Sequence, residues 1–162
     1  REGEAALVDE VAHSADGARK IVDLFAGAGT FALTLAGSAE VHAVEGGAEM
    51  LDALDRGWRH GKGLKAVSTE TRDLFRRPLE PDELNRFDMA VIDPPSAGAE
   101  AQIATLARSN IGRIAMVSCN PVTFARDAEV LCDAGFDIQW IDVVDQFRWS
   151  SHVELVALFT RT

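Results

Sequence analysis

The segment Ser118-Cys119-Asn120-Pro121 places a thiol directly after the apolar run 111–117. That run reads as a buried strand and Pro121 opens a helical stretch, so Cys119 falls on a strand-to-helix loop. Helix N–H dipoles beside such a loop favour the thiolate, the form of cysteine that attacks electrophilic carbon. A second segment, Asp23-Leu24-Phe25-Ala26-Gly27-Ala28-Gly29-Thr30-Phe31, runs from a short β stretch into a glycine-rich turn. Gly27 and Gly29 let backbone come close to a ligand, and the helix start behind them offers free N–H groups. Glu45 closes the next strand, where a carboxylate can accept both ribose hydroxyls of an adenosine. The spacing Gly27-x-Gly29-x-x-Ala32 also fits a loose dinucleotide fingerprint, so the turn leaves S-adenosylmethionine and NAD both open. A tight turn beside a surface Glu is the plainer alternative.

Three further acids sit where strands end or begin. Asp73 is expected after the third strand, either accepting from an adenine amino group or capping the N–H of Phe75. Asp93-Pro94-Pro95 ends a strongly apolar strand; two prolines forbid further pairing and stiffen the backbone, aiming the Asp93 carboxylate outward. The last loop and strand start, Asp145-Gln146-Phe147-Arg148-Trp149-Ser150-Ser151-His152-Val153-Glu154, gathers ionisable groups beside aromatics. Glu154 alternates with Val153 and Leu155 and is expected to face inward, where a carboxylate can serve as general base. His152 reads as a hydrogen-bonded structural histidine, and Cys132 as a buried cysteine on the apolar face of a helix. No His/Cys/Asp spacing repeats at ligand distance, so no metal is expected.

The elements that must position these residues alternate. Strand-like runs cover 20–25, 41–44, 64–68, 87–92, 111–117, 136–144 and 153–159. Helical patterns cover 4–12, 30–36, 48–60, 100–108 and 122–133, with 78–85 as connector. Strands separated by helices predict an α/β fold with a mostly parallel seven-stranded sheet covered on both faces. The last two strands lack a helix between them and should form an antiparallel hairpin at one edge.

With 162 residues, 47% of them hydrophobic, the chain reads as one globular domain, 1–162. No apolar run reaches the roughly 18 residues of a membrane span. The chain starts at Arg1 and reads as a piece of a longer protein. Two cysteines at opposite ends of one expected helix make no disulfide framework, which points to a reducing, cytoplasmic setting. A formal charge of −10 opposes a free-standing nucleic-acid binder, though not a catalytic domain whose grip on RNA lies elsewhere. The clusters Arg72, Arg76, Arg77 and Arg56, Arg59, His60 can touch phosphates but read more plainly as solvated surface.

The four blocks, in order, resemble the catalytic domain of the RNA 5-methyluridine (uracil-C5) methyltransferases. The blocks are Asp23-Leu24-Phe25-x-Gly27-x-Gly29-x-Phe31, Asp93-Pro94-Pro95-x-x-Gly98, Ser118-Cys119-Asn120-Pro121-x-Thr123-x-x-Arg126-Asp127 and Asp145-x-Phe147-x-x-Ser150-x-His152-Val153-Glu154. The resemblance implies a Rossmann-like class I methyltransferase fold. It also implies S-adenosylmethionine as cofactor, held by Asp23, Phe25, Gly27, Gly29, Glu45, Asp73 and Asp93. Cys119 would be the nucleophile that adds to C6 of uracil, and Glu154 the base that removes the C5 proton. It further implies an RNA substrate, ribosomal more than transfer RNA, gripped mainly by an upstream domain outside this chain. The family pattern has Arg where Ser96 stands, Pro at Arg148 and Thr at Ser150. The rival expectations are an NAD-dependent oxidoreductase and a cofactor-binding module without turnover.

Overall fold

The computed structural model describes residues 2–145 and 153–162. The elements are α1 (Glu2–Ser14), β1 (Lys20–Leu24), α2 (Ala32–Leu35), β2 (Glu40–Glu45), α3 (Ala48–His60), β3 (Val67–Thr71) and α4 (Pro81–Leu84). They continue with β4 (Met89–Ile92), α5 (Glu100–Arg108), β5 (Arg113–Ser118), α6 (Pro121–Asp133), β6 (Asp137–Asp145) and β7 (Val153–Thr160). The seven strands form one sheet in the order β3-β2-β1-β4-β5-β7-β6. All neighbours are parallel except β7, which runs antiparallel to both β5 and β6. The expected edge hairpin is therefore present, with β7 inside it and β6 on the rim.

The central strands β1 and β4 are covered on both sides, which is why they read as continuous apolar runs instead of alternating ones. One core packs Leu7 and Val11 of α1, Leu35 of α2 and Leu54 of α3 against Ile21, Val41, Val91 and Val117. The other packs Ile103 and Leu106 of α5 and Phe124 and Leu131 of α6 against Val22, Ile92, Ile114 and Phe159.

Four expectations need correction. The third strand lies three residues later than its apolar residues suggest. Val67–Thr71 pairs with β2 as an exposed edge, while Leu64 tucks against the first core instead. The connector 78–85 holds a helical turn, α4, started by Pro81 and a reciprocal capping box between Glu80 and Glu83. One turn is too short to leave a periodic signature. The helix expected from Thr30 is α-helical only over Ala32–Leu35, entered through a turn in which Leu33 N–H donates to Gly29 O at 3.0 Å. Cys132 is exposed, not buried, because it lies one step round the helix from the buried Leu131.

Candidate active site

Parity along the strands sets the site. Ile21, Ala43, Val91, Val117 and Val156 all belong to the core beneath α1, α2 and α3. A two-residue step from each reaches Asp23, Glu45, Asp93, Cys119 and Glu154, so these five gather at one edge of the sheet, with Asp93 and Cys119 just past the ends of β4 and β5. The edge is the carboxyl end of the parallel strands, the usual location of ligands in such sheets. β7 joins it only because it is reversed: the β5–β7 ladder ends at the pair Ser118–Leu155, so Cys119 follows that pair on one chain segment and Glu154 precedes it on the other.

Beside this row lies a cleft of about 650 Å³, lined by Phe25, Glu45, Asp73, Phe75, Asp93 and Pro94 among others. The Glu45 carboxylate bridges its floor. Oε1 accepts from Gly27 N–H at 3.1 Å and Oε2 from Gly47 N–H at 2.9 Å. Each oxygen keeps a lone pair for a further donor. Gly27 (φ 58°) and Gly29 (φ 99°) occupy the left-handed region that favours glycine. A Cβ at Gly29 would fall 2.7 Å from Leu54 Cγ, so this glycine lets α3 press against the turn. Phe25 also has positive φ, 64°, an expensive geometry for an aromatic residue, and its ring meets Phe75 at 5.3 Å across the cleft. Asp73 takes the capping role, its Oδ1 accepting from Phe75 N–H at 3.0 Å, and the residue also lines the cleft.

The acids perturb one another. Asp23 is fully buried, and neither carboxylate oxygen has a hydrogen bond of ordinary geometry. Burial pushes its carboxyl well above the usual carboxylate range, the charge of Asp93 adds to the rise, the Ala32 N–H opposes it, and Glu45 adds further. Asp93 is pushed up to about 7, first by burial and then by the charge of Glu154. Glu154 is half-buried, with its Oε2 closed off from solvent. The Cys119 side of the row is open: the thiol-bearing residue is exposed. Residues 146–152 lie outside the described residues, and with them Phe147, Arg148, Ser150 and His152 of the fourth block.

Sequence reasoning read Arg72 as part of a solvated cluster and missed its structural role. It is 13% exposed, with its guanidinium bidentate on Glu83 (2.8 and 3.0 Å), on Glu70 (3.1 Å) and on the carbonyls of Arg77 and Pro78 (2.7 and 2.8 Å). It is a pin under the loop that carries Asp73 and Phe75, and neither a solvated charge nor a phosphate ligand. The signal was Glu70-x-Arg72 with Glu83 eleven residues on, hidden because ion pairs leave no hydropathic trace. A second concavity of about 520 Å³, lined by Lys20, His42, Arg86 and Phe87, faces the opposite end of the strands and gathers none of these residues.

The family model described as tRNA (Uracil-5-)-methyltransferase matches residues 63–162, the stretch that holds the double proline, the cysteine turn and Glu154. The chain belongs to this family. An uncharacterized RNA methyltransferase of Mesorhizobium japonicum is 55% identical over 158 residues, 98% of this chain and 38% of the relative. A 23S rRNA (uracil(1939)-C(5))-methyltransferase of Alteromonas naphthalenivorans is 39% identical over 88% of this chain and 30% of its own length. The crystal structure of Pyrococcus abyssi tRNA (uracil-54, C5)-methyltransferase with S-adenosyl-L-homocysteine superposes with TM-score 0.83 and 31% identity, covering 97% of this chain and 38% of that one. The chain thus spans about a third of the length of the uracil-C5 methyltransferases it matches. The fold is that of the class I methyltransferases, as the four blocks implied.

Proposed function

We propose that this chain is the catalytic domain of an enzyme that methylates C5 of a uridine in RNA, with S-adenosylmethionine as methyl donor. The observation that carries it is the row at the carboxyl edge: an exposed Cys119 just past the end of β5 and a half-buried Glu154 at the start of its antiparallel neighbour β7, beside a cleft floored by Glu45. The cleft fits the cofactor. Glu45 has acceptor capacity for two ribose hydroxyls, Phe25 and Phe75 offer apolar walls for an adenine, and Asp73 offers an acceptor. Asp93 lines the cleft, and it, the buried Asp23 and the glycine turn are assigned to the cationic methionine moiety. Family membership favours this donor over NAD. When bound, S-adenosylmethionine supplies an electrophilic methyl group.

The chain's own residues do the rest. Uracil C5 is a poor nucleophile. The Cys119 thiolate adds to C6, the C5–C6 π electrons move onto C5 and O4 as an enolate, and C5 becomes able to take the methyl group. Glu154 then removes the C5 proton, the double bond reforms and the C6–S bond breaks, returning the thiolate. Covalent attachment divides one difficult substitution into easier steps. Asp93 orients the bound groups between them. A uracil within structured RNA must be flipped out to reach the thiol.

Ribosomal RNA is the favoured substrate: the relative named for 23S rRNA is 39% identical and the structure named for a tRNA site 31%. The net charge of −10 supports an RNA grip provided by the rest of a longer, cytoplasmic protein. Mass spectrometry of ribosomal and transfer RNA from cells lacking the gene should show one lost 5-methyluridine, in ribosomal RNA. Restoring the gene with Cys119→Ala should not return it. A full complement of 5-methyluridine in the deleted strain, or its return with the alanine variant, overturns the reading.

A further inference from the structure

The double-proline loop, which carries Asp93, and the turn that carries Cys119 are separate pieces of chain, and the start of α6 laces them together. The Ser96 carbonyl accepts from Asn120 Nδ2 and from Thr123 Oγ1, each at 3.0 Å. The Ala97 carbonyl accepts from Arg126 Nη2 at 3.2 Å. The Ala99 N–H donates at 3.3 Å to Asp127, which is 2% exposed. Asn120, Thr123 and Asp127 follow the i, i+3, i+7 spacing that lines one side of a helix. Gly98 lies inside this seam at φ 82°, where a Cβ would fall 2.5 Å from Arg126 Nη2 and 3.0 Å from Asp127 Oδ2. The loop therefore sits against α6 at backbone distance.

Asn120 uses its two ends differently. Oδ1 accepts from Val122 N–H at 2.9 Å and Thr123 N–H at 3.4 Å, which caps α6. Nδ2 reaches the other way, across to Ser96 of the double-proline loop. One residue before the thiol, the buried Ser118 hydroxyl accepts from Asn120 N–H at 3.1 Å and donates to Asn120 O at 3.0 Å, closing a bow with Cys119 at its apex. The bow has two anchors. One is the sheet, through Ser118, and the other is the double-proline loop, through the Asn120 amide.

We propose that Asn120 is a positioning residue whose amide tethers the cysteine turn to the double-proline loop, fixing the Cys119 thiol relative to Asp93 and the bound pyrimidine. The proposal rests on the reading of Cys119 as nucleophile. The residue type follows from the geometry, since a helix cap needs only an acceptor while the tether needs a donor. Aspartate caps as well as asparagine does, yet it sets an oxygen against the Ser96 carbonyl. Serine caps too but is one bond too short to span the gap.

The test compares the wild-type full-length protein with its Asn120→Asp and Asn120→Ser variants on ribosomal RNA transcribed with 5-fluorouridine. With S-adenosylmethionine present, C5 takes the methyl group but its fluorine cannot be removed by a base as a proton is, so the C6–S bond does not break and the Cys119 adduct accumulates as a slow-migrating band. The expected result is a loss of maximal adduct rate on the order of tenfold to a hundredfold in both variants, the size that misplacing a reacting group produces. The RNA concentration at half-maximal rate, the calorimetric affinity for S-adenosylmethionine and the unfolding temperature should stay near wild type. Wild-type adduct rates from Asn120→Asp overturn the proposal alone. So does a rate loss matched by a parallel loss of cofactor affinity and unfolding temperature, which marks a cap and nothing more. No adduct from the wild-type protein overturns the reading of Cys119 and the proposal with it.

Discussion

Replacing Asp93 with asparagine should stabilise the folded chain, and by an amount that grows with pH. Burial at the end of β4 and the charge of Glu154 lift the Asp93 carboxyl from 3.8 to about 7. Roughly three pH units at about 1.4 kcal/mol each give a linkage of about 4 kcal/mol at most. The folded chain holds its proton more tightly than the unfolded chain does. Between the two pKa values it carries a proton that unfolding releases, so this group's contribution declines as pH rises through that window and levels off above about 7. Asparagine has the same shape and cannot ionise. Urea unfolding of both proteins from acid to mildly alkaline pH should show the gap widening in favour of the Asp93→Asn variant, by roughly 2–4 kcal/mol across the window. Asp23 changes in the same sense, because part of its own rise comes from Asp93. A gap independent of pH, or one that widens in favour of aspartate, refutes the claim that this carboxyl is held out of water beside a second negative charge.

Gly29→Ala should destabilise the chain by about 2–3 kcal/mol, since it combines positive φ with a methyl group driven into Leu54; thermal unfolding reads this directly. Glu45→Ala leaves the N–H groups of Gly27 and Gly47 without their acceptor, and calorimetry should show S-adenosylmethionine binding weakened by about tenfold or more. Arg72→Ala should cost about 2 kcal/mol at neutral pH, a value held down by the partial solvent exposure of Glu70 and Glu83. The same change should flatten the acid limb. Arg72, helped by the Glu80 backbone, holds Glu83 down at about 2, so that stabilisation is complete above 4.5 and lost as pH falls through about 2.

Much of the scaffold was legible because burial leaves a hydropathic record. α3 and α5 match their expected spans, 48–60 and 100–108, residue for residue, since each buries one stripe of a long, regular pattern. β4 and β5 were visible as apolar runs bounded by Asp93-Pro94 and Ser118-Cys119. The third strand was misplaced because an exposed edge is held by backbone pairing with β2, and Ser68, Thr69 and Glu70 carry no apolar mark of it. Every candidate site residue falls at the same end of the sheet, as strand ends and glycines suggested. What the sequence withheld was connection. Nothing in the order of residues told that Arg72 pins the Asp73 loop, that Asp93 and Glu154 lie close enough to oppose each other's charge, or that Asn120 reaches across to Ser96. Those relations depend on a few ångströms between segments far apart in the chain.

The reversal of β7 has a consequence for how this domain tolerates change. Had the last strand run parallel to β5, its first residues would have emerged on the far rim, a strand's length from the thiol. Because it descends against β5, the ladder itself delivers Glu154 to the rim where β5 ends. The same arrangement leaves no tolerance inside the strand. Loss of a single residue between Glu154 and Val156 would shift the alternation by one and turn the carboxylate toward the opposite layer of helices, away from the thiol.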